Sequence, residues 1–209
     1  MRLTLFLILL MAASFFYSFS ADAEKIFTDY GFSGMNLLER PYVLLTSVFL
    51  HADLNHLLSN IFVLFFFGMG VEKEIGGART LFIFLAGAVL GDALSLLVYP
   101  FDSISIGASA GIFAIVGAGI LIAPFDLSFY PYVMPIPLGF LGVMYAFYNA
   151  YGFLTEPASK ISYIAHFGGL FAGLFYGFRR EGMKKSLTTV AVIMILMIAL
   201  PLLWMVLAR

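Results

Sequence analysis

Long apolar runs separated by short polar breaks occupy most of this chain of 209 residues. A helix needs roughly 20 apolar residues to cross a hydrocarbon core about 30 Å thick. By this measure the pattern predicts seven membrane-spanning segments, and hence an all-α membrane protein built as a polytopic helical bundle. The predicted spans are Leu3 to Ser20, Val48 to Met69, Thr80 to Tyr99, Ser109 to Ala123, Tyr132 to Phe153, Ser162 to Phe178 and Leu187 to Leu207.

The first predicted span has two interpretations. It follows Met1-Arg2 and ends near Ala21-Asp22-Ala23, as a secretory signal peptide with a small-residue cleavage site would. Its apolar run is longer than the usual signal core of about 7–15 residues, and the rest of the chain is itself membrane-embedded. We therefore favour a retained span, with a cleaved signal as the alternative.

Two segments depart from the simple pattern. The fourth span has 15 residues, which make roughly 22 Å of helix, so it must begin below the membrane surface where protein shields it from lipid. Residues 21–45 are the longest stretch without a span signal, and their scattered aromatic side chains predict a segment that dips into the membrane interface. Long ordered loops are usually functional.

Composition supports the membrane assignment and excludes several classes of site. Hydrophobic residues make up 62% of the chain and charged residues 11%, and the mean hydropathy is +1.02. A net charge of −1 gives no basic stripe for nucleic acid. The absence of cysteine excludes disulfides, thiolate metal sites and a cysteine nucleophile.

The distribution of basic residues predicts the orientation, because lysine and arginine concentrate in cytoplasmic loops. With the N-terminus inside, seven basic residues lie at inner ends of the spans and four at outer ends. The inner set is Arg2, Lys73, Arg79, Arg179, Arg180, Lys184 and Lys185, and the outer set is Lys25, Arg40, Lys160 and Arg209. The loops 21–45, 100–108 and 154–161 are then extracytoplasmic.

Ser109 and His166 are polar residues inside apolar spans. Such groups are costly at membrane depth unless they have partners, so they indicate a functional site. Both lie within roughly 10 Å of the outer boundary, and an imidazole beside a serine hydroxyl activates it as a nucleophile. Small residues in the fourth span and a glycine every fourth residue after His166, at Gly169, Gly173 and Gly177, predict close helix packing.

A second polar group lies at the outer end of the second span. His56 and Asn60 are four residues apart and share one helical face. His51 and His56, five apart, do not suit one metal ion, and no HExxH-type motif occurs, so we expect no metal site. An interhelical hydrogen bond would explain an isolated His56–Asn60 pair. All three histidines lie on the same side as Ser109, which favours a shared site.

Together these residues resemble the rhomboid family of intramembrane serine proteases. Gly107-Ala108-Ser109 matches the family's GxS nucleophile motif, and Ala165-His166-x-x-Gly169-x-x-x-Gly173 matches its AHxxGxxxG helix. The segment from His51 to Asn60 is similar to the one that serves the oxyanion, and Gly68-x-x-x-Glu72 is similar to an element that helps hold the first loop. The resemblance covers about residues 35–180.

Some positions depart from the usual family pattern. Ala110 stands where glycine often follows the serine, and Phe113 stands where many members carry a tyrosine that packs on the catalytic histidine. The first loop has Arg40-Pro41-Tyr42 where a Trp-Arg pair is common. None of these changes removes a reacting group, but Phe113 lacks a hydroxyl and could alter how His166 is held.

The resemblance implies a serine endopeptidase that cleaves transmembrane segments of other proteins near the extracytoplasmic face, with no cofactor and no metal. Its partners are then the lipid bilayer and transmembrane protein substrates. Ser109 and His166 form the dyad, since no carboxylate lies near His166 in sequence. The oxyanion donors are His56, Asn60 and the Ser109 backbone N–H, and the supporting residues are Gly107, Phe113, Gly169, Gly173, His51 and Glu72. We expect one transmembrane domain, with a six-span core at 1–183 and an additional span at 184–209.

Two other functions remain open. A catalytically inactive rhomboid-like protein would bind membrane clients without cutting them, but such relatives typically lose the serine or the histidine, and this chain keeps both. A small transporter could use the outer histidines as a proton relay. It would ordinarily show inverted repeats or broken helices, and the sequence shows no internal repeat.

Overall fold

The computed structural model describes residues 1–20, 22–127, 136–156 and 161–207. These residues form ten α-helices and a short 3₁₀-helix, Ser47–Phe49. The α-helices are α1 (Arg2–Ser20), α2 (Ala23–Tyr30), α3 (Gly34–Glu39), α4 (Val43–Thr46), α5 (Leu54–Ile75), α6 (Gly77–Ser95), α7 (Ser109–Ile122), α8 (Leu138–Thr155), α9 (Tyr163–Glu181) and α10 (Met183–Leu207). The predicted all-α helical bundle is confirmed.

Seven of these helices, α1 and α5 to α10, follow the order of the seven predicted spans. Among the described helices, α1, α5, α6 and α10 are long and apolar enough to cross a membrane by length and composition alone. The chain is therefore an integral membrane protein. Tyr132, Lys160 and Arg209, used above to place a span or the orientation, lie outside the described residues.

Helix α5 begins and ends six residues later than predicted. The predicted start at Val48 is wrong, because Asp53 caps α5 by accepting a hydrogen bond from the His56 N–H. Gly76, at a φ of 80°, then separates α5 from α6. A positive φ strains residues with a Cβ, so glycine suits this break. The shift places His56 in the first turn of α5.

Helix α7 lies at the centre of the bundle. It has only 14 residues, and every residue from 110 to 121 is buried. Helices α5, α6, α8, α9 and α10 all contact it. The expectation that protein shields this short span is confirmed.

The three glycines Gly169, Gly173 and Gly177 form what we call the glycine seam between α9 and α7. A Cβ on Gly169 would lie 1.9 Å from the carbonyl oxygen of Ala110, and one on Gly173 would lie 1.9 Å from that of Ala114. The predicted close packing of these small faces is confirmed. Since the backbones touch, the seam fixes the separation of the helices that carry Ser109 and His166.

The described part of segment 21–45 is folded. It contains α2 and α3 and the first three residues of α4. Phe32 is buried and pairs with Ser105 through two main-chain hydrogen bonds, of 2.9 and 2.7 Å. The Met35 N–H donates to the Phe101 carbonyl at 3.2 Å. The main-chain contacts that hold this first loop therefore come from the 100–108 segment, directly before Ser109.

Glu72 binds the start of α1. Its carboxylate accepts hydrogen bonds from the Leu3 and Thr4 N–H groups at 3.0 and 2.8 Å and from the Thr4 hydroxyl at 2.7 Å. A carboxylate at a helix N-terminus satisfies unpaired N–H groups and matches the helix dipole. Glu72 is 16 residues along α5 from His56, about 24 Å of helix. These hydrogen bonds join α1 to α5. They do not involve the first loop, so they do not support the prediction that Glu72 is an active-site support holding that loop.

Helix α10 packs on the bundle through a narrow strip. Its buried residues are Ser186, Thr189 and Ile193, and it contacts α7, α8 and α9. Most of its remaining side chains are apolar and exposed, as suits a surface that faces lipid. The division into a core at 1–183 and an additional span at 184–209 stays a prediction.

Candidate active site

Three helix N-termini bring the predicted polar residues to one end of the bundle. Ser109 is the first residue of α7, His56 lies in the first turn of α5, and His166 in the first turn of α9. The opposite ends of α5 and α9 also meet, where the Arg180 guanidinium donates to the Glu74 carbonyl at 3.4 Å. The helices that carry the three residues therefore run in the same direction.

Ser109 and His166 are in hydrogen-bond contact. The Ser109 Oγ and His166 Nε2 atoms are 2.8 Å apart, across 57 residues of sequence. His166 is buried, with 8% of its surface exposed. The distance lies within the range of about 2.6–3.2 Å in which a base takes a proton from a hydroxyl.

Gly107 brings the His56 ring close to Ser109. Its φ is 126°, a conformation that favours glycine. A Cβ at this position would lie 2.8 Å from His56 Cε1 and Nε2 and 3.9 Å from Ser109 Oγ. The imidazole and the hydroxyl thus border the same small space, which a side chain at position 107 would fill.

The start of α7 has no side-chain cap. Asp53 caps α5 and Ser162 caps α9, whereas Ala108 at the start of α7 offers no side-chain acceptor. The first N–H groups of a helix have no partner within the helix and attract negative charge. The N–H groups at the start of α7, beginning with that of Ser109, are therefore not bound by a capping side chain.

Asn60 lies one turn along α5 from His56 and is buried. Its amide donates to the His56 carbonyl at 2.8 Å, which uses one of its two N–H groups. The described contacts join Asn60 to its own helix and do not join it to Ser109. Its expected part in binding an oxyanion stays a prediction.

The Phe113 ring packs on the His166 ring. The two rings are stacked at a centroid distance of 4.4 Å with 15° between their planes. Tyr145 of α8 stacks on the other face of Phe113, at 4.7 Å. The imidazole is therefore held by an aromatic pair that supplies no hydrogen bond to it.

Asn149 is a contact of His166 that the sequence analysis missed. Its Oδ1 lies 2.7 Å from His166 Nδ1, and the side chain is 1% exposed. A signal existed, because Asn149 is the sole amide side chain in the predicted fifth span, and polar groups at such depth indicate function.

His51 supports His56 from outside the spanning helix. Its ring is fully buried and meets the His56 ring edge to face at 4.9 Å, and its Nδ1 lies 3.2 Å from the Phe49 carbonyl. Burial lowers the pKa of His51 from 6.5 to about 4, and repulsion from His56 adds to this shift. Near neutral pH His51 is therefore uncharged.

This shift predicts an acid-sensitive fold. The folded state binds the His51 proton less tightly than the unfolded state, so stability is complete above pH 6.5 and falls as the pH decreases toward 4. The loss amounts to at most about 3.5 kcal/mol, since one pKa unit corresponds to about 1.4 kcal/mol. In thermal unfolding in detergent, His51→Gln should lose less stability than the wild type between pH 7 and pH 4.5. Equal losses in the two proteins would contradict the prediction.

No group of three or more histidine, aspartate or glutamate side chains in the described ranges is arranged to hold a metal ion. The site described above offers a hydroxyl, imidazole rings, amides and a helix N-terminus. Such a set suits proton transfer from an alcohol and stabilisation of a developing negative charge.

The fold and this site define an integral membrane protein with a serine–imidazole pair at the ends of packed helices. A family model described as the Rhomboid domain matches residues 38–181, which is more than half of the chain. The protein therefore belongs to the rhomboid family, as the motifs predicted.

Several curated proteins are similar to this chain. RHOMBOID-like protein 12, mitochondrial, of Arabidopsis thaliana is 29% identical over 147 residues, which cover 62% of this chain and 44% of that protein. The putative rhomboid protease YdcA of Bacillus subtilis is 29% identical over 138 residues, covering 65% of each chain. Rhomboid protease GluP of the same organism is 32% identical over 132 residues, covering 63% of this chain and 24% of that protein. The chain thus spans less than two thirds of the length of each of these relatives.

Proposed function

We propose that this protein is an intramembrane serine endopeptidase that cleaves transmembrane segments of other membrane proteins. The observation that carries the proposal is the 2.8 Å contact between Ser109 Oγ and His166 Nε2, inside a bundle of the rhomboid family. Two of the relatives named above are described as rhomboid proteases, one of them as putative. A serine hydroxyl in contact with a base is the minimum that nucleophilic catalysis needs.

The proposed reaction uses the two residues in turn. The Ser109 oxygen attacks the scissile carbonyl while His166 Nε2 takes the hydroxyl proton. His166 then gives that proton to the leaving amine, so the peptide C–N bond breaks and an acyl ester remains on Ser109. Water, deprotonated by the same imidazole, hydrolyses the ester and restores the hydroxyl.

The negative oxygen formed in each step needs donors. The Ser109 N–H lies at the uncapped start of α7, and the positive end of the helix dipole favours an anion there. With its proton on Nε2, His56 would donate from the opposite side of the space beside Gly107. The second N–H of Asn60 is the third proposed donor.

The orientation is part of this proposal. Lys73, Arg179 and Arg180 lie at the ends of α5 and α9 farthest from Ser109, and Lys184 and Lys185 begin α10 beside them. Basic residues favour the cytoplasmic side. We therefore place the N-terminus in the cytoplasm and the site near the extracytoplasmic face, where it would accept single-span proteins.

The direct test is reconstitution of the full chain in liposomes with a single-span reporter protein. We expect cleavage within or near the reporter's transmembrane segment, located by mass spectrometry, and covalent labelling of Ser109 by a fluorophosphonate. Reporter binding without a cut, and without labelling of a folded sample, would contradict the proposal and favour the client-binding alternative.

Replacing His56 tests the proposed oxyanion donors. His56→Ala should lower kcat by about 10²–10³-fold, the usual cost of one such donor, with a much smaller effect on KM. Ser59→Ala is the matched control, because Ser59 is an exposed residue of the same helix. Its hydroxyl donates to the main-chain carbonyl of His56 at 3.0 Å and does not contact the imidazole ring. A His56→Ala protein with wild-type kcat would remove His56 from the mechanism.

A further inference from the structure

The contacts of Asn149 bear on which nitrogen of His166 carries the proton. Its side chain joins three helices, because Asn149 belongs to α8, its Oδ1 contacts His166 of α9, and His166 contacts Ser109 of α7. A series of hydrogen-bond contacts therefore runs from an amide through an imidazole to a hydroxyl. The same order of nucleophile, histidine and asparagine occurs in papain-like proteases, where a cysteine replaces the serine.

The orientation of the amide is fixed by a second contact. The Asn149 Nδ2 donates to the Tyr163 carbonyl at 3.4 Å, so its oxygen is the atom that faces His166. A carbonyl oxygen only accepts hydrogen bonds. His166 must therefore carry a proton on Nδ1 to make the 2.7 Å contact.

This assignment decides which imidazole nitrogen is the base. A neutral imidazole has one N–H donor and one acceptor nitrogen. With the proton on Nδ1, the acceptor is Nε2, the atom 2.8 Å from Ser109 Oγ. In the other tautomer Nε2 would carry a proton and could not take one from Ser109.

We propose that Asn149 is a positioning residue that keeps His166 in the tautomer able to receive the Ser109 proton. The proposal rests on the proposed function and extends the dyad to a serine–histidine–asparagine arrangement. The surroundings of Asn149 support this role. Tyr163 holds the amide through its carbonyl, and its hydroxyl donates to Glu156 at 2.9 Å. Gly152, one turn after Asn149, leaves room for the Tyr163 ring, since a Cβ there would lie 2.5 Å from it.

The kinetic test compares an isosteric variant that lacks the acceptor with one that keeps it. Asn149→Leu should lower kcat by about 10- to 100-fold, less than the 10²–10⁴-fold that general-base catalysis contributes in full, with KM nearly unchanged. Asn149→Asp retains an acceptor and should recover most of the activity. The acid limb of its pH–rate profile should move to higher pH, because a carboxylate stabilises the imidazolium. Tyr151→Leu is the matched control: Tyr151 is exposed and lies about 200° around α8 from Asn149.

A second measurement reads the tautomer without substrate. The chain has three histidines, so ¹⁵N-histidine NMR of the full protein in detergent is tractable, with His51→Gln and His56→Gln to assign signals. At neutral pH the wild-type His166 should carry its proton on Nδ1, and Asn149→Leu should lose this preference. This readout separates the two proposals, because a wild type that neither cleaves nor labels would refute the protease while leaving the tautomer measurable.

Three results would overturn the role of Asn149. The first is a wild-type His166 with its proton on Nε2, a result that needs no variant to fold. The second is a folded Asn149→Leu protein with wild-type kcat and fluorophosphonate labelling rate. The third is a folded Asn149→Asp protein as slow as Asn149→Leu with an unshifted pH profile, which would mark Asn149 as a packing residue.

Discussion

Ser109→Ala should lower the rate of reporter cleavage by at least about 10⁴-fold, the scale of losing a serine nucleophile. The cause is direct, because the variant lacks the oxygen that would form the acyl ester. His166→Ala should cause a loss of similar size, because the hydroxyl would keep its proton. The measurement is the initial rate of cleavage in liposomes at matched protein levels.

The double variant sharpens this prediction. Residues that act as a unit have non-additive effects, so Ser109→Ala with His166→Ala should be no slower than either single variant. Ser103→Ala is the matched control, since Ser103 is an exposed serine in the segment before α7. Cleavage by either single variant at the wild-type rate would refute the proposed mechanism, and a double variant much slower than both would refute the coupling.

Gly173→Ala should cause a large loss of stability. Its new Cβ would lie 1.9 Å from the Ala114 carbonyl oxygen, which is too close for any contact. The other nearest atoms are also backbone atoms of α7, in Ala114 and Ala118. Helices α7 and α9 must therefore move apart. Overpacking of this kind typically costs about 1–3 kcal/mol, and more where backbone must shift.

The expected result is a Tm in detergent lower by several degrees, together with slower fluorophosphonate labelling of Ser109. Gly169→Ala should act likewise, as it meets the Ala110 carbonyl at 1.9 Å, directly after Ser109. Gly77→Ala is the control, because its Cβ would meet its nearest neighbour at an ordinary 3.4 Å. A Gly173→Ala protein with unchanged Tm and labelling would show that the glycine seam tolerates separation.

Much of this architecture follows from the sequence because the signals are local and strong. Apolar runs predicted the order of the spans, and the spacing of the glycine seam predicted which face of α9 meets α7. Ser109 and His166 were found because polar groups are rare at such depth and their motifs are specific. Their contact joins residues 57 positions apart, but the matched depth of the two helices made it predictable.

Other features were not predicted, because hydropathy and family motifs do not specify which side chains meet in the folded protein. The start of α5 is set by Asp53 and not by the apolar run, so hydropathy alone placed it six residues early. Glu72 was assigned from a motif, whereas its partners are N–H groups at the start of α1. Asn149 was missed because only the tertiary fold brings it to His166, from a helix that contributes no other hydrogen bond to that imidazole among the described residues.

The pairing of Phe32 with Ser105 has a mechanical consequence. The Gly107 N–H also donates to the Ser47 carbonyl at 2.9 Å, so the approach to α7 is braced by two separate parts of the preceding chain. Local unfolding of residues 32–47 would therefore disturb the backbone that carries Ser109. An antibody fragment that disrupts these main-chain contacts would therefore displace Ser109 without touching it.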